Sequence, residues 1–222
     1  CPWNLDALIA DTVACCRESA IDEIVWISES SGRYHELLPI EGIRGLMPGL
    51  AKAKAATEAA GLLFSINPLT TLGHGEYGND VKRGHPRMDF MVDYTGRVSR
   101  AAACPLSPYW RNLMVETFRL YAELRPTRLW IEDDFRYSNH GPVTFGCFCD
   151  LHLDAFAQRT GRRYAREELV SCLLRPGKPA PERAQWLEFL EETLAATGRL
   201  TADTVHAVSP EIQLGWMSNC AA

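Results

Sequence analysis

Three consecutive carboxylates, Glu132, Asp133 and Asp134, follow the apolar run "RLWI" within "RLWIEDDFRYSNHGPVTFGCFCDLH". Like charges side by side repel unless protons, cations or ligand hydroxyls relieve them, and that repulsion separates the acidities of neighbouring carboxyls. A carboxyl pair separated in this way can perform general acid–base chemistry, such as attack on a glycosidic bond. Asp134, Asp133 and Glu132 are therefore the candidate catalytic residues. The competing reading is a solvated strand end in which Arg128 or Arg136 neutralises the acids.

Thirteen residues beyond Asp134 stands Cys147-x-Cys149-x-x-His152. Thiolates and imidazole are ligand types that suit zinc, and Cys104, in the unusual loop "AAACPLSPYW", is a candidate fourth. Four ligands close the tetrahedron and leave no place for water, so such a site would be structural. The metal-free alternative is a set of buried thiols with His152 opening a helix. A third cluster lies in "TLGHGEYGNDVKRGHPRMD". His74, Glu76 and His85 could hold a metal there, or His74 could bond a sugar hydroxyl, while a structural hydrogen-bonding role is the plainer reading.

These residues need elements to hold them. Helical periodicity runs through "NLDALIADTVACCRESA", "GIRGLMPGLAKAKAATEAAG", "SPYWRNLMVETFRLYAELRP", "LHLDAFAQRTG", "REELVSCLL" and "PERAQWLEFLEETLAATGRLTADTVHAVS". Short β-rich runs, "DEIVWIS", "LLFSIN", "TRLWIEDD" and "EIQLGWM", fall between them. From Leu69 to about Cys104 the chain reads as one long irregular loop, which is uncommon unless functional. Strands alternating with helices predict an α/β fold on a parallel sheet. Polar residues gather where the strands end: Ser28 and Glu29, Asn67, Asp133 and Asp134, Ser218 and Asn219. That favours a (β/α)8 barrel of TIM type, whose βα loops build the active site at this face. Four strands make roughly its first half, so residues 1–222 are expected to form one partial catalytic barrel domain. Glu29, His74, Arg136 and His140, in the segments after the strands, are the candidate substrate-binding residues.

Composition narrows the classes. A length of 222 residues with 46% apolar and 23% charged residues suits one large globular domain. A net charge of −5 offers no basic footprint, which excludes nucleic acid as the expected partner. No apolar run is long enough to span a bilayer, and "CPWNLDALIAD" is no signal peptide. The chain opens without Met, so a preceding segment carrying such a signal is an open expectation. Eight cysteines are too sparse for a disulfide scaffold, which favours a reducing, cytoplasmic setting. The adjacent Cys15 and Cys16 read as buried thiols.

The segments "VDYTGRVSRAAACPLSPYWRN", "LWIEDDF" and "CFCDLHLDAF" together resemble the catalytic barrel of glycoside hydrolase family 42, the clan A β-galactosidases. The matching positions are Asp93 and Gly96, Arg100 and Cys104, then Ser107, Pro108 and Arg111. Asp133 and Asp134 stand where that family has Asn-Glu, and Cys147, Cys149 and His152 where it has three cysteines. The match is densest from about Asp93 to Phe156. It implies a carbohydrate substrate of β-galactoside type; a homo-oligomer of the full-length protein is a separate expectation. It also implies a structural zinc on Cys104, Cys147, Cys149 and His152, and an Arg100 that reaches the substrate or the carboxylates. By this alignment Asp134 is the acid/base. Asp is one methylene shorter than Glu, and a shifted alignment moves Glu132 or Asp133 into the role. The clan's nucleophile belongs to a seventh strand, beyond this chain's four. A metal-dependent hydrolase using His74, Glu76, Asp133 and Asp134, and a non-catalytic carbohydrate-binding barrel, are the alternatives.

Overall fold

The structure, a computed structural model, describes residues 4–28, 37–73, 81–138 and 143–217. Helix α1 (Leu5–Glu18) starts at Asn4, whose side chain accepts the Ala7 N–H at 3.2 Å. Strand β1 (Glu23–Ile27) follows, then α2 (Ile40–Ala59) and β2 (Leu63–Asn67). The stretch read as an irregular loop contains more order than its composition suggested. It holds a single helical turn, α3 (Val81–Gly84), and a hairpin of β3 (Phe90–Val92) with β4 (Val98–Ala103). Strands this short leave too few alternating positions to register as a pattern.

Helix α4 (Pro108–Glu123) carries proline at its first position, where no backbone donor is lost. It is followed by β5 (Arg128–Ile131), α5 (Asp150–Thr160), α6 (Arg166–Leu173), α7 (Pro181–Val208) and β6 (Gln213–Trp216). The main sheet has the order β1-β2-β5-β6, all parallel and in chain order. Each pair is joined through at least one helix, which is how the first four strands of a (β/α) barrel follow one another. The fold is thus α/β, a four-strand parallel sheet of partial-barrel type. None of the described helices is long and apolar enough to cross a membrane.

Strand alternation divides the sheet into two faces. Trp26 donates its indole N–H to Thr57 of α2 at 3.1 Å, and Trp216 packs against Gly198 of α7, so this face carries the helices. Phe64, Ile66, Leu129 and Ile131 share it and are buried. The inner face carries Glu23, Ser65, Asn67, Arg128 and Trp130. Trp130 lies over Gly215, where an added Cβ would come within 2.5 Å of its ring, so only glycine fits there. At the N-terminal end of this face Glu23 binds both Ser65 and Arg128. At the β1 side the inner face stays open: Ile27 is 56% and Leu63 46% exposed. Cys15, expected to be buried, is exposed, because α1 turns only Ile9 fully inward, against α2.

Asp93, the first residue of the Asp-x-x-Gly segment, is an internal brace of the hairpin. It is buried and accepts from Thr95 N at 2.8 Å, Thr95 Oγ1 at 2.6 Å and Arg97 N at 3.0 Å, with Arg97 paired at 3.0 Å. Burial alone would raise its pKa, but the Thr95 and Arg97 hydrogen bonds bring it below the ordinary carboxylate range. A carboxyl depressed by folding stabilises the native state above its unfolded pKa of about 3.9, and that contribution fades as pH falls through the lower folded value. Urea unfolding below about pH 4 should therefore show a loss of stability that Asp93→Asn reduces. A variant with an unchanged acid profile would contradict this assignment.

Candidate functional site

The hairpin brings two distant segments together. Cys104 directly follows β4. Its N–H donates to Asp89 O at 2.8 Å and its carbonyl accepts from Ser107 N at 2.9 Å. The Ser107 hydroxyl donates to Asp89 Oδ2 at 2.7 Å, and Arg111 Nε donates to Pro105 O at 2.7 Å. Ser107, Pro108 and Arg111, legible in the sequence as a motif, thus clamp the turn that presents Cys104. On the other side, Gly146 bridges to Asp93, Phe148 N donates to Val92 O at 2.8 Å, and Val92 N points at Cys147 Sγ at 3.4 Å. Cys149 then caps α5, which carries His152 one turn further on.

The four ligand atoms of Cys104, Cys147, Cys149 and His152 lie within 4.8 Å of one another. Cys104 Sγ is 3.5 Å from Cys149 Sγ, and His152 Nδ1 is 3.3 Å from Cys104 Sγ and 3.4 Å from Cys149 Sγ. Around a tetrahedral zinc, with Zn–S about 2.3 Å and Zn–N about 2.0 Å, ligand atoms stand roughly 3.5–3.8 Å apart. The measured separations are close to that spacing, and Cys104, Cys147 and His152 are fully buried. The residues fit a closed four-coordinate ion. Among the described residues this is the one His/Cys/Asp/Glu group so arranged.

Its electrostatics agree. Burial pushes the Cys104 and Cys147 thiols well above the ordinary range, whereas hydrogen bonds from Cys104, Cys147 and His152 pull Cys149 far below it. A dication binds thiolates, so its uptake would displace the thiol protons that burial retains. Metal uptake should release protons and weaken as pH falls. Titration calorimetry in buffers of different ionisation heat measures that release, and an uptake independent of pH would contradict it.

The carboxylates separate into three environments. Strand β5 stops at Ile131, short of the end of the run "TRLWIEDD", so Glu132, Asp133 and Asp134 lie in a turn in which Arg136 N donates to Asp134 O at 2.8 Å. Glu132 is partly exposed and meets the inner face. Its Oε2 accepts from Asn67 Nδ2 at 2.6 Å, and that amide nitrogen also lies 3.4 Å from Met217 Sδ. The C-terminal ends of β2, β5 and β6 converge there. Asp133 turns toward Arg136, with which it pairs at 3.5 Å.

Asp134 is completely buried. Its Oδ2 accepts from Thr71 N at 2.7 Å and Gly73 N at 2.6 Å, and its Oδ1 bonds the Thr71 hydroxyl. Gly73, at φ +118°, approaches β4 so closely that a Cβ would lie 2.4 Å from Ala101 O. Both oxygens of Asp134 are thus turned into the loop after β2, the geometry of a brace for that loop, whereas a proton donor must touch the leaving oxygen.

Arg100 projects from the exposed side of β4 into a shallow cleft of about 580 Å³, lined also by Lys82, Arg83, Pro86, Val98 and Ser99. His85 is buried between Leu37 O, 2.9 Å from Nε2, and the Tyr109 hydroxyl, 3.2 Å from Nδ1, so it braces α3 and is not an available metal ligand. Glu29, His74, Glu76 and His140 lie outside the described residues. Two site residues escaped the sequence reading. Asn67 was visible only as one strand-end polar residue among several, and Tyr137, 2.9 Å from His152 Nε2, gave no spacing signal.

No protein-family model matches the chain, and no curated protein is similar to it in sequence. Among solved structures it is similar to a GH20 exo-β-N-acetylglucosaminidase from Vibrio harveyi, crystallised in complex with N-acetylglucosamine. The identity is 11% and the TM-score 0.43, over 86% of this chain and 31% of that one. The chain thus spans about a third of that enzyme's length, and so weak a likeness says nothing of the site.

Proposed function

We propose that the chain forms the first part of a glycoside hydrolase barrel, with Glu132 as its acid/base carboxyl and one structural zinc on Cys104, Cys147, Cys149 and His152. The observation that carries the reading is the Glu132–Asn67 contact at 2.6 Å, at the C-terminal ends of two adjacent parallel strands on the inner face. Barrel enzymes build their reacting groups at that rim. Glutamate also restores the methylene that an aspartate in this role would lack. The affinity to family 42 rests on the motif residues from Asp93 to His152, most of which serve here to hold the metal loops. The substrate of β-galactoside type belongs to that same affinity.

The division of labour follows from position. A glycosidic bond breaks through an oxocarbenium-like transition state in which the leaving oxygen requires a proton. Glu132 delivers it from the strand end, and the Asn67 amide fixes the direction of the carboxyl. Zinc, when bound, supplies a cross-link between the turn after β4 and the segment before α5. Asp134 sets the path of the loop after β2, which borders the same rim.

Release of aryl alcohol from a panel of 4-nitrophenyl glycosides, differing in sugar and anomer, tests this reading in the intact protein. At least one should be hydrolysed, and Glu132→Gln should slow it. An intact protein that neither hydrolyses nor binds any of them would overturn the proposal.

A further inference from the structure

The hairpin that presents Cys104 also carries a concentration of positive charge. Residues 81–111 hold six lysines and arginines against two aspartates, in a chain whose net charge is −5. Both aspartates are engaged locally. Asp89 accepts the Ser107 hydroxyl at 2.7 Å, and Asp93 pairs with Arg97 at 3.0 Å. Arg111 donates to Pro105 O at 2.7 Å, and Arg87 lies 5.2 Å from the centre of the Tyr109 ring. Lys82 and Arg83 of α3 are exposed, and neither meets a carboxylate among the described residues. Together with Arg100 of β4 they line the cleft of about 580 Å³, where Pro86, Val98 and Ser99 are the other described walls. No carboxylate and no aromatic ring stands among these described lining residues.

The walls of the cleft are anchored from behind. His85, two residues from Arg83, is fixed through both ring nitrogens, to Leu37 O and to the Tyr109 hydroxyl. Ser99 Oγ accepts from Ala101 N at 3.1 Å and from Ala102 N at 2.8 Å, on either side of which β4 continues. Ala103 N donates to Leu72 O at 2.7 Å, so β4 runs against the loop after β2. That loop is bonded to Asp134, two residues from Glu132. The cleft therefore belongs to the segment that leaves the sheet at the C-terminal end of β2, the end where Glu132 stands.

Like charges gathered without counter-ions repel, and a ligand that brings negative charge relieves them. Ammonium and guanidinium groups around a concave space suit a carboxylate or sulfate through charge-assisted hydrogen bonds. We infer that this cleft is a subsite for an anionic group on a carbohydrate chain, the carboxylate of a uronate unit or a sulfate ester. The inference rests on the glycoside hydrolase reading and adds a substrate class to it: an acidic oligosaccharide, whose charged unit lies apart from the bond at Glu132. Nucleic acid would also bring anionic groups, but a cleft without aromatic rings offers its bases nothing to stack on.

The test is calorimetric binding to the intact protein, read without turnover. The probes are trigalacturonate, a sulfated galactotriose, neutral galactotriose and a single-stranded oligonucleotide. At low salt at least one acidic sugar should bind about tenfold more tightly than the neutral one, and that advantage should shrink as salt is raised. The pair Lys82→Ala and Arg83→Ala should remove most of the advantage. The pair Arg175→Ala and Lys178→Ala, which takes the same charge from the turn between α6 and α7, should change it less than about twofold. Acidic sugars that bind no better than the neutral one, or equal losses in the two double variants, would overturn the inference. So would an oligonucleotide that binds more tightly than either acidic sugar. Hydrolysis of neutral glycosides without any preference for acidic ones defeats the subsite and leaves the barrel enzyme standing. Binding of acidic sugars that depends on Lys82 and Arg83, in a protein that hydrolyses no glycoside, supports the subsite and defeats the hydrolase reading.

Discussion

Removal of the metal should unfold the loops at the strand ends, and it should do so more completely than any single side-chain loss elsewhere. Structural zinc contributes about 10–16 kcal/mol of apparent binding free energy in small zinc-dependent folds. In this protein the ion would join two segments more than forty residues apart, Cys104 and Cys147–His152, through a site with no water position. Reduced protein purified without chelator is expected to carry about one zinc per chain, and Cys147→Ala to carry none. Prolonged chelation should lower the melting temperature and open the hairpin of β3 and β4 to proteolysis, since Val92 bonds both Cys147 and Phe148. Protein that melts identically with and without chelator would show that the four residues are simply packed.

Loss of the Asp134 carboxylate should be the most destabilising of the acidic substitutions. Asp134→Ala removes the carboxylate that two buried backbone donors, Thr71 N and Gly73 N, share. Each donor that loses this acceptor costs about 1–3 kcal/mol, and the lost hydrogen bonds were charge-assisted, so about 3–5 kcal/mol is expected. Asp134→Asn should cost far less. An amide oxygen can take over both backbone donors, and its NH2 can turn to the Thr71 hydroxyl, which is able to accept. A brace therefore tolerates asparagine while a proton donor does not. Urea unfolding of the two variants measures the difference, and equal, small effects would show that the loop after β2 does not depend on this group.

The pattern of long helices and apolar strands was legible because periodicity survives in elements of that length. The four parallel strands lie in the predicted order, and Leu129 and Ile131 of "LWI" are buried on the helix side. The candidate metal ligands were legible for a different reason: Cys-x-Cys-x-x-His is local, and Cys104 stood out by its loop. What failed was register at the strand end. Three carboxylates in a row look like alternating faces only while the strand continues, and β5 stops at Ile131. Sequence cannot show that Asp134 is claimed by the backbone of residues sixty positions earlier, because backbone donors have no letter. The Glu132–Asn67 contact is equally long-range and depends on the β2–β5 register.

The most direct test of the central claim is the dependence of hydrolysis on leaving group in the intact protein. Glu132→Gln removes the proton donor and leaves the Asn67 contact an acceptor, while Asp134→Asn leaves the brace in place. General acid assistance is worth about 10²–10⁴-fold where the leaving oxygen needs a proton, and little where the aryl group is strongly activated. Glu132→Gln is therefore expected to slow alkyl and weakly acidic aryl glycosides by that factor while sparing dinitrophenyl glycosides, with Asp134→Asn close to wild type on both. A uniform loss across the series for Glu132→Gln, or the leaving-group signature appearing in Asp134→Asn instead, would contradict the account.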